Sequence, residues 1–280
     1  METIGVVGAG TMGCGIAQIF LEHGYKVIFN DLNETLIQNG LAAINKNLDR
    51  NLEKGKITIK TKNDILTRLV PSEEIQRFNE CSLVIEAVSE NKEIKKKIFK
   101  QLGEICGDST VLASNTSSLS ITELSDESKH PERVIGIHFF NPATVIELVE
   151  IIKGLKTSAK TFERASSLIL AVGKTPIKVE ESPGFIVNRL LIPMINEAIS
   201  LLAEGVASTA EIDSAMKLGA KHPLGPLALA DLIGLDVVLA IMENLQNEMG
   251  DDKYRPHPLL KKMVRGRLLG KKTKKGFYEY

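Results

Sequence analysis

The chain has 280 residues, of which 43% are hydrophobic and 25% are charged, and this length predicts two domains. Its 35 basic and 35 acidic side chains give a formal net charge of zero, which argues against a protein that binds nucleic acid through bulk charge. The N-terminus leads directly into a predicted strand, and no apolar run approaches the ~18 residues of a membrane helix. We therefore expect a cytoplasmic protein without a membrane partner.

The three cysteines, Cys14, Cys81 and Cys106, are odd in number and lack C-x-x-C spacing. We expect them to be reduced thiols rather than disulfides or zinc ligands. No other group of residues has the spacing of metal ligands, so no metal site is predicted.

The first predicted elements surround a glycine-rich turn. A strand at residues 3–7 precedes Gly-Ala-Gly-Thr-Met-Gly at residues 8–13, and a helix and a strand at Lys26–Asn30 follow. This is the context that a dinucleotide-binding fingerprint requires. Gly8 permits the tight turn, Gly10 lets backbone N–H groups reach a pyrophosphate, and Gly13 lets helix and strand pack closely.

An acidic residue, Asp31, directly follows the second strand. At this place a carboxylate can bind both hydroxyl groups of an adenosine ribose, and it repels a 2′-phosphate. The sequence therefore predicts NAD(H) rather than NADP(H) as the cofactor.

The next predicted element, an amphipathic helix at residues 33–55, is longer than an ordinary crossover helix and ends at Gly55. Its C-terminal end carries Arg50, Lys54 and Lys56. Two interpretations remain open. These cations form a solvated face, or residues 36–58 form a helical flap that meets an anionic substrate.

A buried strand is predicted at residues 83–87, and Glu90 follows near its C-terminal end, where α/β sheets place ligands. The helix at 91–102 carries five lysines. A solvated face is the favoured interpretation for this helix, although Lys95 alone could reach cofactor or substrate.

Strands at 110–114, 134–138, 147–152 and 175–179, with a helix at 158–172, complete an alternating β/α pattern. This predicts an α/β fold, a Rossmann-type doubly wound, mostly parallel sheet. From residue 182 onward only helices are predicted: a long one that Pro193 should kink, then 209–219 and 227–249. The predicted domains are 1–182, for NAD, and an all-helical 183–280.

Four residues could carry the oxidation of an alcohol. His138, at a strand end, is the candidate general base, and Glu150, flanked by aliphatic pairs, is its candidate partner on a neighbouring strand. Ser117 and Asn188 could bind the substrate oxygen. Each residue also has a structural alternative. His138 could be a core histidine bonded to backbone, and Glu150 could occupy an exposed sheet edge. Ser117 could merely form a serine turn, and Asn188 could cap a helix.

Several stretches together resemble the short-chain L-3-hydroxyacyl-CoA dehydrogenase family, nearly end to end. They are the fingerprint with residues 14–17, Val-Ile-Glu-Ala-Val-Ser-Glu at 84–90, Ala-Ser-Asn-Thr-Ser-Ser at 113–118, Gly-Ile-His-Phe-Phe-Asn-Pro at 136–142, and Ser-Pro-Gly-Phe-Ile-Val-Asn-Arg at 182–189. Two residues depart from the family pattern. Lys221 stands where asparagine is usual, and Lys274 stands where glycine is usual.

The resemblance implies reversible hydride transfer between NAD(H) and C3 of a short-chain (S)-3-hydroxyacyl-CoA. His138 would be the base and Glu150 its partner, and the helical domain would pair subunits into a homodimer or a higher oligomer. The residues expected to contact substrate are Ser117, Asn141, Asn188, Lys54 and Lys56. The residues expected to contact NAD are Gly8, Gly10, Thr11, Met12, Gly13, Asp31, Glu90, Lys95 and Asn115.

Two other functions stay open at the level of sequence. Related proteins with the same two-domain plan oxidise free hydroxy acids without CoA. A nucleotide-binding protein could also keep this fold without turnover, as some lens crystallins do, although the four candidate catalytic residues argue against that.

Overall fold

The structure is a computed structural model that describes all 280 residues. It divides into unit 1, Met1–Glu181, and unit 2, Ser182–Tyr280. This division lies one residue before the boundary expected from the change to an all-helical pattern. Each unit has its own core of buried apolar side chains.

Unit 1 alternates strands with helices. Its strands are β1 (Thr3–Val7), β2 (Lys26–Asn30), β3 (Leu69–Ser72), β4 (Leu83–Glu86), β5 (Val111–Ser114), β6 (Val134–Phe139), β7 (Leu148–Lys153) and β8 (Thr175–Glu180). Its helices are α1 (Thr11–Glu22), α2 (Glu34–Glu53), α3 (Ile59–Leu66), α4 (Lys92–Ile105), α5 (Ile121–Asp126) and α6 (Ala159–Ala171).

The strands form one sheet in the order β3-β2-β1-β4-β5-β6-β7-β8. All neighbours are parallel except β6 and β7, which are antiparallel. The first six strands have the order of a doubly wound dinucleotide fold, whose strand order reverses between β1 and β4. The predicted fold class is therefore confirmed. β4, β5 and β6 are buried along their whole length, because a parallel sheet is covered on both faces.

Three elements of unit 1 were not predicted: α3, β3 and α5. β3 is a four-residue edge strand that contains Pro71. Proline lacks the N–H that a sheet ladder uses, so an edge position tolerates it, but its presence removes the usual sequence signal for a strand. α5 has six residues, which is too short to display helical periodicity.

Unit 2 is entirely helical. Its helices are α7 (Val187–Ala203), α8 (Thr209–Gly219), α9 (Pro226–Ile233), α10 (Leu235–Met249) and α11 (Pro258–Arg265). The single helix expected at 227–249 is wrong, because Gly234 has a φ of 102° and ends α9 before α10 begins. α11 was not predicted. Pro193 lies inside α7, and the kink expected there stays a prediction.

None of the eleven helices combines the length and the apolar character that crossing a bilayer requires. The three cysteines are free and buried. Burial raises the pKa of the Cys14 and Cys106 thiols to about 11 and that of Cys81 to about 12. All three therefore remain protonated near neutral pH, the form that is a poor nucleophile.

Both departures from the family pattern lie at left-handed backbone positions. Lys221 has a φ of 60° and Lys274 a φ of 59°. A side chain there places Cβ too close to the backbone, whereas glycine and asparagine adopt this conformation more readily.

We expect Lys274→Gly to stabilise the protein by about 0.5–1 kcal/mol, since relief of the backbone strain exceeds the greater chain entropy of glycine when unfolded. Lys217→Gly is the matched control, because Lys217 lies in the last turn of α8 and glycine should destabilise that helix. Scanning calorimetry should show a higher Tm for Lys274→Gly and a lower Tm for the control. A fall in Tm for both variants would show that Lys274 is not strained.

Candidate functional site

Two glycines of the fingerprint turn are required by close backbone contacts. Gly8 has a φ of 107°, and a Cβ on it would lie 2.6 Å from the carbonyl oxygen of Ala87. A Cβ on Gly13 would lie 1.8 Å from the carbonyl oxygen of Gly8. The turn therefore brings α1 against the ends of β1 and β4 at a distance that only glycine allows.

The N-terminus of α1 is open to a ligand. Gly10 is its N-cap, no side chain caps the helix, and its first turn contains no acidic residue. A Cβ on Gly10 would meet nothing within 4 Å, and Thr11 is exposed. The first-turn N–H groups and the partial positive charge of the helix end favour a phosphate here, so the residues present fit a dinucleotide.

Asp31 lies at the end of β2, beside this turn. Its Oδ2 accepts a hydrogen bond from the backbone N–H of Ala9 at 2.6 Å, and its Oδ1 accepts one from Leu32 at 2.7 Å. Each oxygen of an ionised carboxylate can accept more than one hydrogen bond. The Ala9 contact fixes Asp31 relative to the fingerprint turn and leaves acceptor capacity for ribose hydroxyl groups.

His138 and Glu150 face each other across the antiparallel pair β6 and β7. His138 Nδ1 lies 2.8 Å from Glu150 Oε2, and the two side chains are only 7% and 1% exposed. The ring of Phe140 lies 4.4 Å from that of His138, centroid to centroid. The contact expected between His138 and Glu150 is therefore present. An exposed edge position for Glu150 is wrong, because β8 pairs with the other side of β7.

Glu90 binds the loop that follows β5. Its Oε1 accepts hydrogen bonds from Thr116 Oγ1 at 2.6 Å, Ser117 N at 2.9 Å and Ser118 Oγ at 3.0 Å. The Ser117 hydroxyl also donates to it at 3.3 Å. Burial alone would raise the pKa of the Glu90 carboxyl, but the Lys95 ammonium and these hydrogen bonds outweigh it and hold that pKa below its usual value.

The solvated face favoured for the helix at 91–102 is wrong for Lys95. Its side chain is 1% exposed, and Nζ lies 2.7 Å from Glu86 Oε1 and 3.3 Å from Glu90 Oε2. Helical spacing explains this, because the buried side of α4 also carries Phe99 and Leu102, while Lys92, Lys97 and Lys100 are exposed.

Two buried polar residues near Lys95 were missed at the level of sequence. Glu86, with no exposed surface, accepts hydrogen bonds from Ser114 Oγ at 2.7 Å and from the backbone N–H of Val88 at 2.8 Å. Ser114 is also fully buried. One signal was available, since an acidic residue that ends a fully apolar strand must find polar partners in the core.

Two asparagines lie in the loops at the same end of the sheet. Asn115 Oδ1 accepts a hydrogen bond from the backbone N–H of Phe139 at 2.9 Å, which joins the loop after β5 to the end of β6. Asn141 is exposed and forms a cis peptide bond with Pro142.

α2, which covers most of the segment expected to form a helical flap, packs one side against the rest of unit 1. α2 buries Ile37, Gly40, Ile44 and Leu48 and ends at Glu53, with Lys54 as its C-cap and Gly55, which has a φ of 67°, directly after the cap. The helix therefore ends two residues before the predicted Gly55, and Lys54 rather than Gly55 is its C-cap. Lys54 and Lys56 flank that glycine and are exposed, which leaves their ammonium groups accessible to an anion.

Asn188 lies in unit 2, inside the first turn of α7. The N-cap of α7 is Ile186, and no side chain caps the helix. Asn188 therefore does not occupy the N-cap position of this helix.

Comparison with known proteins identifies the family. The family profile described as 3-hydroxyacyl-CoA dehydrogenase, NAD binding domain, matches residues 3–182. The one described as 3-hydroxyacyl-CoA dehydrogenase, C-terminal domain, matches residues 184–280. The chain belongs to the 3-hydroxyacyl-CoA dehydrogenase family. Unit 1 is accordingly its NAD-binding domain, in agreement with the cofactor expected from the fingerprint and Asp31.

Individual relatives are similar over their whole length. The chain is 52% identical to a 3-hydroxybutyryl-CoA dehydrogenase of Clostridioides difficile over 277 residues, 99% of each chain. It is 39% identical to the mitochondrial hydroxyacyl-coenzyme A dehydrogenase of Homo sapiens, over 100% of this chain and 91% of the human one. A crystal structure of (S)-3-hydroxybutyryl-CoA dehydrogenase from Ralstonia eutropha matches with a TM-score of 0.97 and 48% identity, covering 100% and 99% of the two chains.

Proposed function

We propose that the chain is an NAD-dependent (S)-3-hydroxybutyryl-CoA dehydrogenase, which interconverts 3-hydroxybutyryl-CoA and acetoacetyl-CoA. The observation that carries the proposal is the buried contact between His138 Nδ1 and Glu150 Oε2, on the same sheet as the dinucleotide fingerprint. The names of full-length relatives at about half identity support the substrate.

In this mechanism His138 moves the proton of the C3 hydroxyl group. Bound NAD(H) supplies the acceptor or the donor of the hydride. Because Nδ1 is engaged by Glu150, Nε2 is the nitrogen that takes the proton during oxidation and returns it to the C3 oxygen during reduction. The Glu150 carboxylate holds the required tautomer and stabilises the imidazolium that forms.

Ser117 and Asn188 donate hydrogen bonds to the substrate oxygen at C3. These donors stabilise the charge that develops on that oxygen in the transition state. Two contacts with Glu90, from the backbone N–H and the hydroxyl group of Ser117, support the role of Ser117. For both residues, further support comes from the resemblance of their sequence motifs to those of the family. Asn141 follows His138 by three residues and is exposed, and it is a further proposed substrate contact.

Lys54 and Lys56 bind the CoA part of the substrate. A free hydroxy acid is a small anion, whereas CoA carries several phosphate groups that need cationic partners on the protein surface. The exposed ammonium groups at the end of α2 supply such partners, and their attraction for phosphate decreases with salt.

We expect the double change Lys54→Ala, Lys56→Ala to raise KM for acetoacetyl-CoA by about fivefold at low salt, and by less at high salt. The KM for a thioester without the 3′-phosphoadenosine should not change. The matched control is Lys129→Ala, Lys160→Ala, which removes two exposed lysines elsewhere in unit 1. An unchanged KM for the full CoA ester would make the end of α2 a solvated face.

We also propose that unit 2 joins two subunits into a homodimer in the cytoplasm. The support is the family resemblance, which implies that the helical domain pairs subunits, and Leu190 and Leu218 of this unit are 71% and 73% exposed. Sedimentation equilibrium of the whole chain measures the mass of the assembly directly.

The proposed substrate is tested by NADH oxidation with acetoacetyl-CoA, longer 3-oxoacyl-CoA esters and free acetoacetate. We expect acetoacetyl-CoA to give the highest kcat/KM. A comparable or higher value for free acetoacetate would favour a dehydrogenase of free hydroxy acids, and the absence of turnover with every substrate would favour a non-catalytic protein.

A further inference from the structure

We propose that Glu86 and Ser114 are positioning residues for catalysis, which fix the loop of Ser117 through the buried Lys95 and the partly exposed Glu90. The inference rests on the proposed function, in that Ser117 is taken to bind the substrate oxygen. Neither Glu86 nor Ser114 is itself placed in contact with substrate or cofactor.

Glu86 and Ser114 form a buried pair at the ends of two neighbouring strands. Glu86 ends β4 and Ser114 ends β5, and the two are register partners in the parallel sheet. Ser114 Oγ donates to Glu86 Oε2 at 2.7 Å, and neither residue has exposed surface. A carboxylate without water must be held by donors from the protein, so its position is tightly determined.

The Lys95 ammonium lies between the carboxylates of Glu86 and Glu90. Lys95 Nζ lies 2.7 Å from Glu86 Oε1 and 3.3 Å from Glu90 Oε2. Its side chain is 1% exposed, so water cannot replace a missing carboxylate without rearrangement. Glu86 therefore determines where the ammonium lies, and the ammonium determines where Glu90 lies.

Glu90 in turn holds the loop after β5. Glu90 Oε1 receives donors from Thr116, Ser117 and Ser118. The loop is also held from its other side, because the backbone N–H of Thr116 donates to Ser114 Oγ at 3.2 Å. The network thus fixes both the carboxylate that binds Ser117 and the residue where the loop begins.

The other ion pairs of α4 differ from this network. Lys92 and Lys96 pair with Glu123 at 3.0 Å and 3.1 Å, and these two lysine side chains are 47% and 24% exposed, against 1% for Lys95. Such pairs are screened by solvent and contribute little. Glu123→Gln is consequently a matched control, since it removes a carboxylate partner of two lysines on the same helix.

The experiment compares Glu86→Gln and Ser114→Ala with this control by hydrogen–deuterium exchange and by steady-state kinetics. Glutamine keeps the shape of Glu86 but replaces one carboxylate oxygen by an amide, so it cannot accept from Ser114 and Lys95 together. We expect the amides of residues 115–119 to exchange about tenfold faster in both variants. kcat/KM for acetoacetyl-CoA should fall about tenfold, since misplaced catalytic groups are costly.

Ser114→Ala removes only one hydroxyl group, so it serves if Glu86→Gln does not fold. Unchanged exchange at 115–119 in the folded variants, or an equal change in Glu123→Gln, would overturn the inference. The exchange measurement needs no turnover, so it decides the inference even if the wild-type chain fails to reduce acetoacetyl-CoA and the proposed function is wrong.

A double-mutant cycle with Ser117→Ala separates positioning from loss of stability. If Glu86 acts through Ser117, then Glu86→Gln should reduce kcat/KM by less than about threefold once Ser117 is alanine. Ser114→Thr keeps the hydroxyl group that Ser114→Ala removes, so its kcat/KM should be close to that of the wild-type chain. Full additivity in the cycle would assign Glu86 and Ser114 a merely structural role and contradict the proposal.

Discussion

His138→Ala is expected to lower kcat by about 10²–10⁴-fold, the usual contribution of a positioned general acid or base. NADH should bind the variant normally, because the fingerprint turn and Asp31 lie at the ends of other strands. Stopped-flow reduction of acetoacetyl-CoA measures the loss, and NADH fluorescence measures the binding. His130→Ala is the matched control, since it removes a histidine from a loop of unit 1 outside the proposed site.

Glu150→Gln should also lower kcat, because the neutral amide no longer stabilises the imidazolium. Near-normal turnover of a folded His138→Ala variant would mean that another residue is the base.

Asp31→Asn is expected to lower the ratio of kcat/KM for NADH to that for NADPH on the order of 10²-fold, the value of a charged hydrogen bond. Asparagine keeps an oxygen for the N–H of Ala9, so the fingerprint turn should remain intact. The change removes the charge that binds ribose hydroxyl groups and repels a 2′-phosphate.

Initial rates with both cofactors give this ratio. We expect most of the change to come from weaker use of NADH, because Asp31→Asn supplies no cation for the 2′-phosphate. Equal use of NADH and NADPH by the wild-type chain would contradict the role of Asp31.

The parts of the site that sequence predicts are those set by neighbouring positions in the chain or in the sheet. The fingerprint residues are consecutive, and Gly13 is needed because its Cβ would overlap the carbonyl oxygen of Gly8. The contact of His138 with Glu150 follows from two adjacent strands, because an acidic residue in a buried strand must find a partner.

The parts that sequence missed depend on packing between distant elements. Helical spacing puts Lys95 on the same side of α4 as Phe99 and Leu102, but its partner Glu86 lies on a strand, and the sequence does not show that the two meet. The break at Gly234 is a local feature instead: the apolar pattern of residues 227–249 continues across this glycine, whose positive φ ends α9.

Hydride transfer from NADH to C3 of acetoacetyl-CoA can be followed with a deuterium label. The chain is incubated with acetoacetyl-CoA and with NADH that carries deuterium at C4 on either face of the ring, and the product is examined by mass spectrometry and chiral separation. We expect (S)-3-hydroxybutyryl-CoA with one deuterium at C3 from one of the two labelled cofactors, formed far more slowly by His138→Ala. A product without deuterium at C3 from either cofactor, or equal formation by His138→Ala, would contradict this mechanism.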